Sequence, residues 1–399
     1  MQRGDIRTVG RELWSDGRGW ILLGVAGGWF LSLGVRLIFP ALLPYVRETF
    51  DFTIAVAGGL VTALWVAYAL GQFPGGVAGD RLGEGNALVF STVVSGVAIA
   101  AVAAATSPAT LFFATVVFGF STALFGPARF TILSAVYDRR DGTAIGLTLS
   151  AGEVGNAVLP VVAGIVAAAT SWRFGIGFTV PLFFLMGVVL FWTVPGKLSE
   201  ESAVDSLSVD TIRYLLGGIA TWGVLITTGV HVFLFFVHQA FTGLYPTYLV
   251  EAKGLSPTAA AGFFGLFFTA GVGVQTLAGA GGDRFGTRPT LFVVTATTAV
   301  SLGVLPFVSG TVGLVAVTIA ASSLLGVTPL TQTYLVNAMP EDMRGSGLGL
   351  LRTVLIGLGA TGPVVIGSVA DRGFFDFGIL VLAGCAVCGL CLSVLIPGR

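Results

Sequence analysis

Apolar runs of roughly bilayer-spanning length recur a dozen times along this chain, and no other feature restricts its fold as tightly. Between polar or Pro/Gly breaks they fall near residues 20–46, 54–78, 86–105, 109–135, 144–169, 174–195, 220–248, 258–281, 289–308, 311–336, 346–369 and 375–396. In lipid each backbone polar group must be satisfied within its own segment, so such runs predict α-helices. Composition agrees: only 10% of the 399 residues are charged and mean hydropathy is +0.93, whereas soluble domains carry about a quarter charged residues. The expected fold class is therefore all-α integral membrane, with twelve transmembrane helices lying in a lipid bilayer.

The opening MQRGDIRTVGRELWSDGR is polar and mixed in charge, unlike a cleaved secretory signal, and is expected to be retained. A formal net charge of zero gives no footing for nucleic acid as a partner. With the N-terminus cytoplasmic, inner segments hold thirteen Lys or Arg and outer segments only four, namely Arg47, Arg173, Lys253 and Arg372. By the positive-inside rule this predicts both termini in the cytoplasm, as for a multi-pass protein of the plasma membrane. Cys385, Cys388 and Cys391 share the last apolar run and read as small packing residues of a buried helix, since no His or acidic residue stands near them to complete a metal site.

The longest hydrophilic stretch, Lys197–Arg213, reads as a linker between an N-terminal half, residues 1–196, and a C-terminal half, residues 214–399. Sliding the second half back by 203 positions aligns Gly76 with Gly279, Asp80 with Asp283, Arg81 with Arg284 and Gly83 with Gly286. The same ungapped shift pairs Gly142 with Gly345, Gly146 with Gly349, Leu147 with Leu350, Pro160 with Pro363 and Gly164 with Gly367. One offset serving distant regions indicates a parallel duplication into two six-helix halves, an arrangement suited to halves that rock about a central site.

The paired segments at Gly76–Gly83 and Gly279–Gly286 have the form G-x-x-x-D-R-x-G and lie between spans two and three and spans eight and nine. Here the chain resembles the major facilitator superfamily, and span count, loop position and duplication extend the resemblance over nearly its whole length. The resemblance implies the superfamily's fold and a membrane transport function. It also implies that Gly76, Asp80, Arg81 and Gly83, with Gly279, Asp283, Arg284 and Gly286, form gating loops rather than bind solute. Physically, the glycines are expected to let helix ends approach closely, while the aspartate accepts from a helix N-terminus or pairs with arginine. Glu84, Gly85 and Asn86 replace the basic residues that usually follow the first copy. Span five carries Gly152-Glu153-Val154-Gly155-Asn156 and Pro160, similar to a glycine-rich segment of several antiporter branches. Its glycines are expected to allow close packing against a neighbouring helix.

Ionisable residues inside the bilayer are costly and mark function by default. Arg36 stands sixteen residues after Trp20, about 24 Å at helical rise, and cannot readily reach an interface. Organophosphate and organic-anion branches of the superfamily place a first-helix arginine in a similar position. Glu153, about 16 Å beyond Gly142, is placed near mid-membrane, where a carboxylate is suited to proton coupling. Arg129 in span four is its candidate partner, and the repeat equivalent of Arg129 is Gln332. His231 and His238 are seven residues apart and share a helix face, and a histidine there makes binding sensitive to protonation. Asn156 completes the candidate solute or coupling set. Gln239, Tyr334 and Asn337 are lesser members, and Arg352 reads as an interface anchor.

These residues point to a secondary transporter using alternating access, moving a small organic and anionic solute with protons as coupling ion, and acting as a monomer. No G-x-x-x-x-G-K-[ST] nucleotide loop is present, and no cofactor is called for. Export of hydrophobic drugs is the rival within this class, given 31 phenylalanines. A receptor or lipid scramblase on the same fold is the rival outside it. A membrane enzyme is disfavoured by the lack of H-E-x-x-H, G-x-S-x-G or paired membrane aspartates.

Overall fold

A computed structural model describes residues 13–14, 17–137, 140–196, 222–338 and 355–396. Its described residues form helices α1 (Arg18–Phe50), α2 (Ile54–Leu82), α3 (Glu84–Ala103), α4 (Pro108–Val136), α5 (Asp141–Ala169) and α6 (Trp172–Thr193). Further along the chain come α7 (Trp222–Glu251), α8 (Pro257–Phe285), α9 (Thr287–Phe307), α10 (Thr311–Leu335), α11 (Leu355–Ala370) and α12 (Phe375–Val394). Eleven are long and apolar enough to cross a membrane, and α11 is a shorter apolar helix whose preceding residues lie outside the described set. The proposed linker, Arg352 and the repeat positions Gly345, Gly349 and Leu350 also lie outside the described residues, as do the side chains of Asp80 and Asn337.

Helices in lipid turn their hydroxyl residues back on themselves. Thr92, Thr115, Thr148 and Thr298 each donate from Oγ1 to the carbonyl four residues earlier, at 2.8–3.0 Å, so buried hydroxyls cost little inside an apolar segment. Helix starts follow the 203-residue repeat. Thr53 Oγ1 accepts from Val56 N–H at 3.3 Å, and 203 positions later Ser256 Oγ accepts from Ala259 N–H at 3.2 Å. Gly83 (φ 89°, ψ 144°) and Gly286 (φ 93°, ψ 155°) make the same turn before α3 and α9, a conformation open essentially to glycine alone.

Among the described residues, a Cβ on Gly76 or Gly279 would meet nothing within 4 Å, whereas one on Gly282 would lie 2.8 Å from Leu330 Cδ2. In α5 the expectation of close packing is met: a Cβ on Gly155 would lie 2.4 Å from the Phe30 carbonyl oxygen, and one on Gly152 2.4 Å from Trp29 Nε1. Small residues therefore let α5 lie directly on α1.

Contacts gather the described residues into two units, one drawn from Met1–Ile38 and Ala67–Val204, the other from Phe39–Val66 and Asp205–Arg399. In the first, α3 packs against α4 and α6, and α5 against α4 and the first turn of α6. In the second, α7 packs against α8, α10, α11 and α12, while α9 packs against α10 and α12. The hairpin at 39–66 belongs to this second unit. Asp371, at the end of α11, accepts from the N–H groups of Ile54 and Ala55 at 2.6 and 2.9 Å and so caps α2. Gly58 lies against the Pro363 backbone, Gly367 against that of Ile54, and Arg47 pairs with Glu251 of α7.

The cysteine reading is corrected. Cys388 and Cys391 are exposed and Cys385 half-buried, so they face outward from α12 rather than fill its packed face. Gly378, Leu382, Ala386 and Gly389 take that inner role, because three- and four-residue spacing keeps them on one stripe.

Candidate functional site

The sequence places Trp29, Ser32 and Arg36 on one face of α1, three and four residues apart. Burial leaves Arg36 1% exposed, and its Nε donates to the Ser32 carbonyl at 2.8 Å, a carbonyl one turn back that an isolated helix would keep for itself. The guanidinium lies 4.0 Å from the Tyr68 ring centroid and 5.5 Å from that of Trp29. From α4, Arg129, 2% exposed, comes to 3.3 Å from the Trp29 centroid and 4.3 Å from that of Phe130. Trp29 in turn stacks on Phe125, one turn before Arg129, at 6.3 Å and 21°. One indole thus seats two guanidinium groups that stay charged at any physiological pH.

Glycines fix the neighbouring α5 against this platform, since Gly152 abuts the Trp29 ring and Gly155 the Phe30 backbone. On α5, Asn156 Nδ2 donates to Glu153 Oε2 at 3.3 Å, and Asn156 is buried while Glu153 is half-buried. Trp29 Nε1 and Asn156 Oδ1 have no hydrogen-bond partner among the described residues, which leaves one donor and one acceptor beside the arginines for a polar solute. Arg36, Arg129, Glu153 and Asn156 therefore converge on one unit around Trp29. Guanidinium forks suit carboxylate or sulfonate groups, which they bind with two parallel hydrogen bonds.

The second unit carries its own polar stripe. His231 Nδ1 and Thr331 Oγ1 of α10 are 2.6 Å apart, and His238 Nδ1 is 3.2 Å from Gln239 Oε1. Phe235 stacks between the two imidazoles, 5.8 Å from each. Gln332 is exposed on α10 next to Thr331. At the loops, Arg81, Asp283 and Arg284 are exposed, Gly83 is buried, and the Arg284 guanidinium lies over Phe285 at 5.1 Å. Among the described residues no three His, Cys, Asp or Glu gather as metal ligands would.

Sequence reasoning missed Trp29, Tyr68, Phe125 and the Asp371 cap. Trp29 stands seven residues before Arg36 and Phe125 four before Arg129, so helical spacing alone would have put each aromatic on its arginine's face. Nothing local marks Asp371, whose partners are 317 and 316 residues away.

A sequence model of the Major Facilitator Superfamily matches residues 24–363. The chain belongs to this family. Its relatives include a hexuronate transporter of Bacillus subtilis, 25% identical over 86% of both chains. They also include a probable sulfoacetate transporter, SauU, of Cupriavidus necator, 25% identical over 88% of this chain and 87% of that one. A cis,cis-muconate transport protein of Acinetobacter baylyi is 24% identical over 93% of both. A bacterial homologue of the human lysosomal transporter Spinster shares the fold, with TM-score 0.79 and 14% identity over 96% of this chain and 97% of that one. The nucleoside transporter NupG shares it likewise, at TM-score 0.78 and 15% identity over 94% and 99%. This superfamily member is a multi-pass membrane protein with the superfamily fold, related to transporters of small organic anions.

Proposed function

We propose that this superfamily member carries a small organic anion across the plasma membrane by alternating access, with proton movement as its driving force. The observation that carries the reading is the seating of the buried Arg36 and Arg129 guanidiniums on the single Trp29 ring. Two guanidinium groups buried side by side within a membrane-spanning unit suit recognition of an acid group on the solute. Hexuronate, sulfoacetate and cis,cis-muconate, named for the relatives, all carry carboxylate or sulfonate groups that two guanidinium forks accommodate. Asn156 and the Trp29 N–H serve the solute's remaining polar atoms, and Glu153, His231, His238 and Gln332 are the further candidates for solute or proton.

In this reading the chain works as a monomer with both termini cytoplasmic. Residues 1–196 and 214–399 are the moving halves, joined by the linker 197–213. The loops with Asp80, Arg81, Asp283 and Arg284 act as gates. Catalysis of a covalent reaction plays no part in it.

A thermal-stability screen of purified chain in detergent tests the reading, with galacturonate, sulfoacetate and cis,cis-muconate set against hydrophobic cations. Binding to the folded state alone adds about 2.7 kcal/mol of stability at a hundredfold excess over Kd. The expected result is stabilisation by an organic acid that is lost in Arg36→Ala and in Arg129→Ala. Stabilisation by hydrophobic cations alone, indifferent to both substitutions, would replace the anion reading with drug export.

A further inference from the structure

We propose that the solute is a hydroxylated organic acid, with hydroxyl groups on the chain or ring that bears its acid group, and that Ser32 and Asn156 read those hydroxyls. The inference rests on the anion-transport reading and names the solute class of that same site.

Buried hydroxyls in the first unit find partners within it. Ser91 Oγ donates to the Ser121 carbonyl at 2.6 Å, Ser95 Oγ and Ser121 Oγ lie 2.8 Å apart, and Thr92, Thr115 and Thr148 turn back on their own helices. Ser32 departs from this pattern. It stands three residues after Trp29 and four before Arg36, and its Oγ has no hydrogen-bond partner among the described residues. Setting the arginines aside, the buried polar side-chain atoms of the first unit without such a partner are Ser32 Oγ, Trp29 Nε1 and Asn156 Oδ1, on residues 2%, 4% and 5% exposed.

Glycine contacts fix the register of α5 on α1 and bring these three atoms to neighbouring levels. A Cβ on Gly152 would meet Trp29 and Leu33, one on Gly155 would meet Phe30, and one on Gly34 would meet the Gly155 backbone and Leu159. Residue numbers rise together along the two helices, which therefore run parallel. Asn156, one turn beyond Gly152, thus stands level with Ser32, nearly one turn beyond Trp29. Arg129 of α4 bounds the same stretch of α1 at the Trp29 ring, and Tyr68 of α2 bounds it at the Arg36 guanidinium. The unpartnered polar atoms of this unit gather beside its arginines instead of being scattered through its packing.

Their chemistry selects the ligand. An ionised carboxylate or sulfonate only accepts hydrogen bonds, and guanidinium forks supply its donors. Asn156 Nδ2 donates to Glu153 Oε2 at 3.3 Å, which turns Oδ1 the other way as an acceptor in need of a donor. An acid group has no donor to give it. A solute hydroxyl both donates and accepts, so hydroxyls serve Asn156 Oδ1, Ser32 Oγ and the Trp29 N–H together. An acid lacking hydroxyls leaves Asn156 Oδ1 buried and unpaired, and a site shaped to bond a hydroxyl discriminates strongly against the analogue without one.

Three matched probes separate the hydroxyls from the acid group, with purified full-length chain in detergent and equilibrium binding as the measurement. D-galacturonate carries both, tetrahydropyran-2-carboxylate keeps the ring and the acid without the hydroxyls, and D-galactose keeps the hydroxyls without the acid; sulfoacetate is a second acid without hydroxyls. Galacturonate is expected to bind at least about tenfold more tightly than either hydroxyl-free acid, and galactose not to bind. Ser32→Ala and Asn156→Leu are each expected to lower that preference at least about threefold while the hydroxyl-free acids bind as before, and Ser32→Thr, which keeps a hydroxyl, to preserve it. Unchanged binding of the hydroxyl-free acids shows that a variant is folded with its arginines in place. Hydroxyl-free acids that bind as tightly as galacturonate, or a preference that neither Ser32→Ala nor Asn156→Leu lowers, overturn the inference and leave the anion reading standing. Equal loss of all acids in both variants assigns the two residues to the framework and overturns it as well. Galactose bound as tightly as galacturonate, or no acid bound at all, refutes the anion reading itself and the inference with it.

Discussion

The first helices of the two halves each place nitrogen-bearing side chains against an aromatic ring, yet with different chemistry. On α1, Trp29 and Arg36 stand seven apart and the indole meets two permanent charges. On α7, His231 and His238 stand seven apart and Phe235 lies between rings whose charge depends on protonation. Elsewhere the halves agree closely: the Thr53 and Ser256 caps and the Gly83 and Gly286 turns repeat at one offset. The difference teaches that duplication kept the backbone devices, which any helix start or tight turn requires, and released the membrane-embedded side chains for separate tasks.

The strongest way to break this comparison is to remove the platform of α1. Trp29→Ala is expected to cost about 3–5 kcal/mol of stability through the cavity it leaves, read as a fall in unfolding temperature in detergent. Phe235→Leu on α7, a smaller change of shape, is expected to lower stability far less. Should the two substitutions cost the same, the indole is no special platform.

Next in size, Arg36→Lys keeps the charge and loses the planar fork, so the affinity for sulfoacetate is expected to fall by about 1.5–3 kcal/mol, at least tenfold. Unchanged affinity by equilibrium binding would mean that Arg36 acts as a bare charge. The agreement between halves is sharpened by Gly83→Ala and Gly286→Ala. Each forces a side chain into a glycine-only backbone region and is expected to cost about 1–3 kcal/mol, with similar losses at both turns. A loss at one turn alone would show that the copies have diverged in more than side chains.

The smallest effects belong to the hairpin at 39–66. Asp371→Ala removes a helix cap and is expected to cost about 0.5–2 kcal/mol. Arg47→Ala, which breaks a partly exposed pair with Glu251, is expected to cost no more than about 1 kcal/mol. Thermal unfolding of the two variants side by side ranks them, and a larger loss for Arg47→Ala reverses the assignment of the cap as the stronger tie.

Much of the architecture was legible before any coordinates. Solvent alone decides which segments become helices in lipid, because an unsatisfied backbone group has no water to turn to, and apolar run length therefore reports the spans directly. The duplication was legible for a related reason: Gly286 must be glycine wherever Gly83 must, since the same positive φ is demanded of both. The cysteines of α12 misled, since an apolar helix looks the same in sequence on its lipid side as on its packed side.

What the sequence by itself determined is the membrane-spanning helical class, the repeat, and the presence of Arg36, Arg129, Glu153, His231 and His238 within spans. Those follow from local rules, in which each residue's tendency depends on neighbours a few positions away. Only the tertiary structure decided that Arg129 shares Trp29 with Arg36 from a position a hundred residues on, or that Asp371 caps a helix more than three hundred residues before it. Contacts of that kind depend on which helix faces meet, and the apolar packing that brings them together is non-directional and leaves no periodic trace in the chain.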